Sequence, residues 1–244
     1  MRSVPMTRRT LFGYAGAAAS AAGLAALAPA VLAPPAAATG KSLGTLLDYA
    51  GGVPAAEAIR AAGHSGAIRY VSDRRPGAEW MAGKPLRSGE VEALHAAGLV
   101  VVSCYQFGKA DTADWRGGLE AGKRHAERGL QLHRDAGGPD GAPIYASIDD
   151  NPSPVDFARL IAPYLEGWKS VVGNGNLGVY ANAPTIELAS IAGLGSWYWQ
   201  HNWGTPEGFV HPAANLHQIE IDDRTVGGVG VDVNNILTPE YGAW

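Results

Sequence analysis

From Leu43 onward the chain alternates short apolar runs with longer stretches of helical period, and each such pair reads as a βα unit. The first run, Leu43–Tyr49, carries Asp48 at its end and turns through Gly51 and Gly52; Pro54, a favourable first-turn residue, then opens a helix over Ala55–Ala62. A second strand is expected at Ala67–Val71, with Asp73 just past its end. The polar loop Arg74–Arg87 that follows is long and contains Trp80, the kind of segment that borders a ligand groove. Ser88 starts a helix with Val91, Leu94 and His95 on one side, and Gly98 ends it. Leu99–Phe107 is apolar almost throughout, as a strand covered on both faces should be.

After a loop with Asp111 and Trp115, Leu119–Asp135 is helical by length and charge, with a thin apolar face, and Gly137, Gly138 and Pro139 stop it. Ile144, Ala146 and Ile148 then alternate with Tyr145, Ser147 and Asp149, and Pro152 prevents the strand from continuing. An apolar strand thus ends abruptly in Asp149, Asp150 and Asn151. The clearest helix comes next: Phe157, Leu160, Ile161, Tyr164, Leu165, Trp168, Val171 and Val172 recur at spacings of three and four. Trp168 on that face reads as core. Leu177–Asn182, the run from Trp197 to Trp203, Asn215–Asp222 and Val229–Ile236 supply four more strands. Eight strands with helices between at least the first six predict one irregular (β/α)₈ TIM-type barrel over residues 39–244, its helices reduced in the last third.

Composition narrows the function more than the fold. A net charge of -4 offers no basic face for phosphate, which excludes nucleic acid as partner. Cys104 is the single cysteine, so an intramolecular disulfide is excluded, and its place within LVVVSCY makes it a buried inert thiol rather than a nucleophile. Residues 1–38 read as an export signal. Arg2, Arg8 and Arg9 precede a mildly apolar Ala/Gly-rich run, Leu11–Ala33, and Ala36 to Ala38 offer an A-x-A cleavage site. Thr7-Arg8-Arg9-Thr10-Leu11-Phe12 resembles the twin-arginine consensus, which implies the Tat export machinery as partner and a secreted or cell-wall-associated product. An uncleaved anchor is the alternative, since Leu11–Ala33 is long enough to span a bilayer although weakly apolar. Cleavage leaves no stable membrane insertion.

On a parallel barrel the strand ends converge on one rim. Here they carry Asp48, Asp73, Gln106, Asp149 with Asn151, Asn182, Gln200 to Trp203, Gln218 with Glu220, and Asp232. Carboxylates in a cleft that also holds tryptophan, tyrosine and amides describe a sugar site: aromatic faces stack on pyranose rings, and amides and acids bind hydroxyls. Glycoside hydrolysis needs one acid to protonate the leaving oxygen and a second group to stabilise the oxocarbenium-like state. Asp149, Asp48 and Asp232 are the candidate catalytic residues, with Asp149 the leading acid. Asp73, Gln106, Asn151, Asn182, Gln200, Trp203, Gln218 and Glu220 are the candidate sugar-binding residues. Asp150, beside Asn151, Pro152 and Ser153, reads as a cap or turn former. His201, His211 and His217 lack the spacing of a helix pair and no HExxH occurs, so no metal is expected; no cofactor is implied either. The glycine-bearing stretches at 173–178 and 226–231 open no helix in a βαβ unit and read as turns.

The succession GTLLDY, GAIRYVSD, HAAGLVVVSCYQFG, PIYASIDDN, LGVYAN, WYWQHNW, HQIEID and GVDVNNI resembles the secreted glycoside-hydrolase-like TIM-barrel domains that bacteria place behind twin-arginine signals. Those are similar in turn to the Chalaropsis-type lysozymes, which cut peptidoglycan. The resemblance implies a protein acting on cell-envelope glycan, with Asp48 and Asp149 at family acid positions. In the lysozymes the fourth strand ends Asp-x-Glu with the Glu as general acid; Asn151 stands at that Glu position here, and an amide cannot protonate a leaving group. A catalytically silent glycan-binding or envelope-organising module on the same barrel is the alternative reading.

Overall fold

The structure, a computed structural model, describes residues 42–244; the export signal expected at 1–38 lies outside the described residues. Strands β1 (Thr45–Asp48), β2 (Gly66–Tyr70), β3 (Val100–Tyr105), β4 (Ile144–Ser147), β5 (Leu177–Asn182), β6 (Trp197–His201), β7 (Leu216–Val226) and β8 (Val229–Ile236) close into a barrel in sequence order. Helices α1 (Ala56–Ala61), α2 (Ser88–Ala96), α3 (Gly118–Asp135) and α6 (Ala183–Ile191) follow β1, β2, β3 and β5. Between β4 and β5 a short α4 (Pro154–Asp156) runs through a π turn at Phe157–Ile161 into α5 (Ala162–Val172). Ser153 starts this helix in a capping box with Asp156, and Pro154 occupies its first turn.

The expected (β/α)₈ barrel is corrected by the strand pairing. β1 to β7 run parallel, but β8 is antiparallel to both β7 and β1, so the closed sheet is mixed and its strands, not a full ring of alternating helices, complete it. The cause is local. Only Gly227 and Gly228 separate β7 from β8, whereas a parallel crossover takes a dozen residues or more. Both glycines have positive φ, 57° and 81°, as a tight hairpin turn with its twist matched to the strands requires. Between β6 and β7 no helix forms among the described residues, and Gly204, Pro206, Gly208 and Pro212 break any helical run there.

Alternation along the strands sorts side chains into two cores. Leu46, Ile68, Val102, Cys104, Tyr145, Tyr180, Trp199, Leu216 and Ile236 fill the lumen. The opposite faces, including Leu47, Val101, Ile144, Ala146 and Val179, pack with Ile59, Leu94, Leu132, Tyr164 and Trp168 of the helices. Trp168 is fully buried there, 5.4 Å from the Tyr105 ring. The thin apolar face of α3 is explained by close approach: its buried residues include Ala121, Gly122, Ala126 and Gly129. A Cβ on Gly122 would collide with the carbonyl of Tyr164, and one on Gly167 with that of Leu119, so the helices touch backbone to backbone where a larger apolar face would hold them apart. Cys104 lies in the lumen with burial pushing its thiol up, an unreactive setting.

Candidate active site

At the carboxyl ends of the parallel strands the barrel opens into a cavity of about 470 Å³, lined among others by Asp48, Tyr70, Gln106, Asp149, Tyr180, Trp199, Trp203, Gln218 and Asp232. The reversed β8 is what brings Asp232 here. Its register pairs Asp232 with Asp48, so the N-terminal part of β8 sits at the mouth; in a parallel strand the same residue would lie deeper. Asp232, Asn234 and Ile236 share the lumen face by simple period-two alternation.

Trp199 Nε1–H, which can only donate, reaches Asn234 Oδ1 at 2.8 Å. That fixes the amide, so Asn234 Nδ2–H donates to Asp48 Oδ2 at 2.8 Å. Tyr70 OH donates to Asp48 Oδ1 at 3.1 Å, and Gln218 Nε2–H reaches Asp48 Oδ2 at 3.2 Å. Gln218 is oriented in turn by Tyr180 OH, which donates to its Oε1 at 2.6 Å. Asp48 is therefore an acceptor on every side. Burial dominates and raises its carboxyl above the ordinary value, against the opposing bonds from Asn234, Tyr70 and Gln218.

Asp232 accepts from the same Gln218 Nε2 at 2.9 Å and from the backbone N–H of Asp222 at 2.9 Å. Burial, and then the neighbouring charge of Asp48, raise it to about 7. Two acids joined by one amide cannot both ionise freely, and the better-supplied Asp48 keeps the charge. The pair titrates as one unit with its proton affinity raised, and the larger number of donors on Asp48 favours Asp232 as the member that holds the proton. Asp149 is held differently: Gln106 Nε2–H donates to its Oδ2 at 2.7 Å, and Lys109 Nζ lies 3.0 Å from the same oxygen. An amide and an ammonium thus face Asp149, whereas Asp232 shares its amide with a second carboxylate.

The sequence candidates divide sharply. Asp48, Asp149, Asp232, Gln106, Trp203 and Gln218 meet in the cavity, whereas Asp73, Asn151, Asn182, Gln200 and Glu220 do not line it. Asp73 lies beyond the end of β2 and pairs with Arg128 of α3 at 2.8 Å. Gln200 points away from the lumen and holds the 209–211 loop, donating to Phe209 O at 2.8 Å and accepting from His211 N at 2.7 Å. Asn182 caps α6 by accepting from Thr185 N at 2.9 Å, and its Nδ2–H donates to Asn151 Oδ1 at 2.9 Å. Asn151 is thus a loop-fastening residue on the surface. Glu220 should share the Gln218 face by alternation, but a register shift between them turns it out to Arg224, at 2.7 Å. Asp150 makes a turn, accepting from Asn151 N at 2.9 Å.

Sequence reasoning passed over Arg75, Lys84, Lys109, Tyr70, Tyr180 and Asn234. Asn234 was findable, two residues beyond Asp232 on one strand face. The three cations sit in loops, where no periodicity points at a ligand. Trp80, 60% exposed, stands on the rim, and Trp203 stacks on His201 with ring centres 3.8 Å apart.

Comparison with known proteins places the chain in a family. Residues 57–236 match the model described as "Rv2525c-like, glycoside hydrolase-like domain". The chain belongs to that family. A relative from Mycobacterium tuberculosis (strain ATCC 25618 / H37Rv), named "Putative peptidoglycan hydrolase Rv2525c", is 58% identical over 239 residues, covering 98% of this chain and 99% of the relative. The crystal structure of the M. tuberculosis Tat-secreted protein Rv2525c in complex with L-tartrate superposes with a TM-score of 0.83 at 63% identity, over 83% of this chain and all of that one. A bacterial lysozyme from Streptomyces coelicolor shares the fold alone, at 18% identity and TM-score 0.53, over 80% of this chain and 92% of its own. The Rv2525c-like family match spans β2 to β8, leaving Asp48 of β1 outside the matched segment.

Proposed function

We propose that the protein is an exported glycoside hydrolase acting on cell-envelope glycan, peptidoglycan or a related polysaccharide, by carboxylate acid–base chemistry. The observation that carries this reading is the Asp48–Gln218–Asp232 cluster: two carboxyls on one amide, with the proton assigned to Asp232 and the charge to Asp48. In this scheme Asp232 gives its proton to the glycosidic oxygen as the bond to the anomeric carbon breaks. Asp149, held by Gln106 and Lys109, stabilises the positive charge on the ring or takes the proton of the incoming water. Asp48 keeps the proton on Asp232 until it is used. Trp80 and Trp203 offer faces for sugar rings at the mouth. Family membership, the 58% identical relative named for peptidoglycan hydrolysis, and the Tat-secreted crystal-structure relative support both the substrate and an exported, cell-wall location. Purified bacterial peptidoglycan incubated with the mature protein should release new reducing ends, lost in Asp232→Asn.

One observation favours a second reading, a silent glycan-binding module. Asn151, which the resemblance to the lysozymes sets at the general-acid position, faces Asn182 rather than the cavity. On that reading muropeptides bind with measurable heat, no reducing ends appear, and Asp232→Asn leaves affinity unchanged.

A further inference from the structure

The acid chemistry above leaves one wall of the cavity without a role. Lys84, from the loop between β2 and α2, lines the cavity while only 4% exposed. Its ammonium donates to the carbonyl of Gln106 at 2.5 Å and lies 4.2 Å from the centre of the Tyr70 ring. Among the described residues it has no carboxylate partner, so one carbonyl and one ring face serve three N–H donors. Arg69, the other buried cation of this region, is treated quite differently: it is paired with Glu90 and bonded to the carbonyls of Tyr49 and Gly83. Buried charges are ordinarily matched in this second way.

Lys84 is not alone. Arg75, on the same loop, lines the cavity half-buried and likewise has no carboxylate partner among the described residues, and Lys109 lines it with Asp149 as its ion pair. Tyr70 divides the space, its ring face beneath Lys84 and its hydroxyl on Asp48. The cavity is therefore polarised: Asp48 and Asp232 on the β1–β8 side, Lys84 and Arg75 on the side of the β2–α2 loop. A neutral sugar would use the acids and leave the buried ammonium unmatched. We infer that the preferred ligand is a saccharide bearing a free carboxylate, which Lys84 and Arg75 receive while the glycosidic oxygen faces Asp232. Burial holds Lys84 down at about 8, consistent with an ammonium that lacks its counter-ion. The inference rests on the reading of this cavity as a glycan site.

Calorimetry with matched sugars tests it. N-acetylmuramic acid against N-acetylglucosamine, and glucuronate against glucose, differ in each pair by the carboxylate-bearing group, and the two pairs distinguish a lactyl ether from a uronic acid as its source. The wild type should bind the acidic member of at least one pair about ten- to hundredfold more tightly, the range for a charged hydrogen bond. Lys84→Gln should bring that ratio close to one, and Lys84→Arg should keep most of it. Should Lys84→Gln fail to fold, Arg75→Gln, in a half-buried loop position, decides: a ratio reduced about threefold or more supports the inference, and an unchanged ratio overturns it. A wild-type ratio near one in both pairs also overturns it. Acid-selective binding without glycan cleavage would leave this inference standing and remove the hydrolytic one; cleavage with a ratio of one would do the reverse.

Discussion

Asp232→Asn offers a measure of the proton on Asp232 that needs no substrate. The folded chain holds this carboxyl at about 7, against an ordinary value of 3.8, because it is buried beside Asp48. Between those two values the folded protein keeps a proton that the unfolded chain has released, so its stability falls as pH rises across the window and levels off above about 7. Asparagine keeps the shape and can still accept from Gln218 Nε2 or Asp222 N through its carbonyl, but it cannot ionise. Each tenfold change in proton affinity corresponds to about 1.4 kcal/mol, which sets an upper bound of roughly 4 kcal/mol for an isolated buried acid. Asp232 is partly solvated and shares its titration with Asp48, which reduces this to about 1–2 kcal/mol. At about 2–4 °C per kcal/mol for a chain of this size, Tm of the variant minus Tm of the wild type should grow by about 2–8 °C between pH 4 and pH 8. Differential scanning fluorimetry across that range reads it directly, with groups not coupled to Asp232 cancelling. Parallel Tm curves would refute the placement of the proton on Asp232.

Other consequences follow from the same contacts. Asp48→Asn should be tolerated, because Asn Oδ1 can take both amides while Tyr70 OH reverses to accept; with the Asp48 charge gone, the alkaline limb of the pH–rate profile should move to lower pH, and an unmoved limb would contradict the coupling. Gly122→Ala should lower stability by about 1–3 kcal/mol in urea unfolding, since its Cβ meets the backbone carbonyl of Tyr164 rather than a movable side chain. Trp80→Ala should leave Tm within about 1 °C, because the ring is 60% exposed, yet weaken binding of soluble muropeptides by roughly 0.5–1.5 kcal/mol; equal affinity would remove Trp80 from the sugar path.

What the sequence made legible was whatever obeys a local period. Ile144–Ser147 and Val229–Ile236 announced their strands, and Asp48, Asp149 and Asp232 could be placed in one mouth because each follows or interrupts apolar alternation. The direction of β8 was not legible through strand pattern, which is the same read forward or backward, although the Gly227–Gly228 turn carried the information. Glu220 misled for a related reason: alternation presumes an unbroken ladder, and the shift in β7 turns the chain over between Gln218 and Glu220. Asp73 and Gln200 found partners in Arg128 and the 209–211 loop that lie far away in sequence or outside any period. Lys84 and Arg75 were invisible because a loop's side chains are aimed by tertiary contacts alone.

The most direct test of the proposed chemistry is the count of reducing ends released from purified bacterial peptidoglycan by the mature wild type, Asp232→Asn and Asp149→Asn at neutral pH. The account predicts release by the wild type and a fall of about 10²-fold or more on removing the proton donor Asp232. No release by the wild type, or release by Asp232→Asn at the wild-type rate, would contradict it.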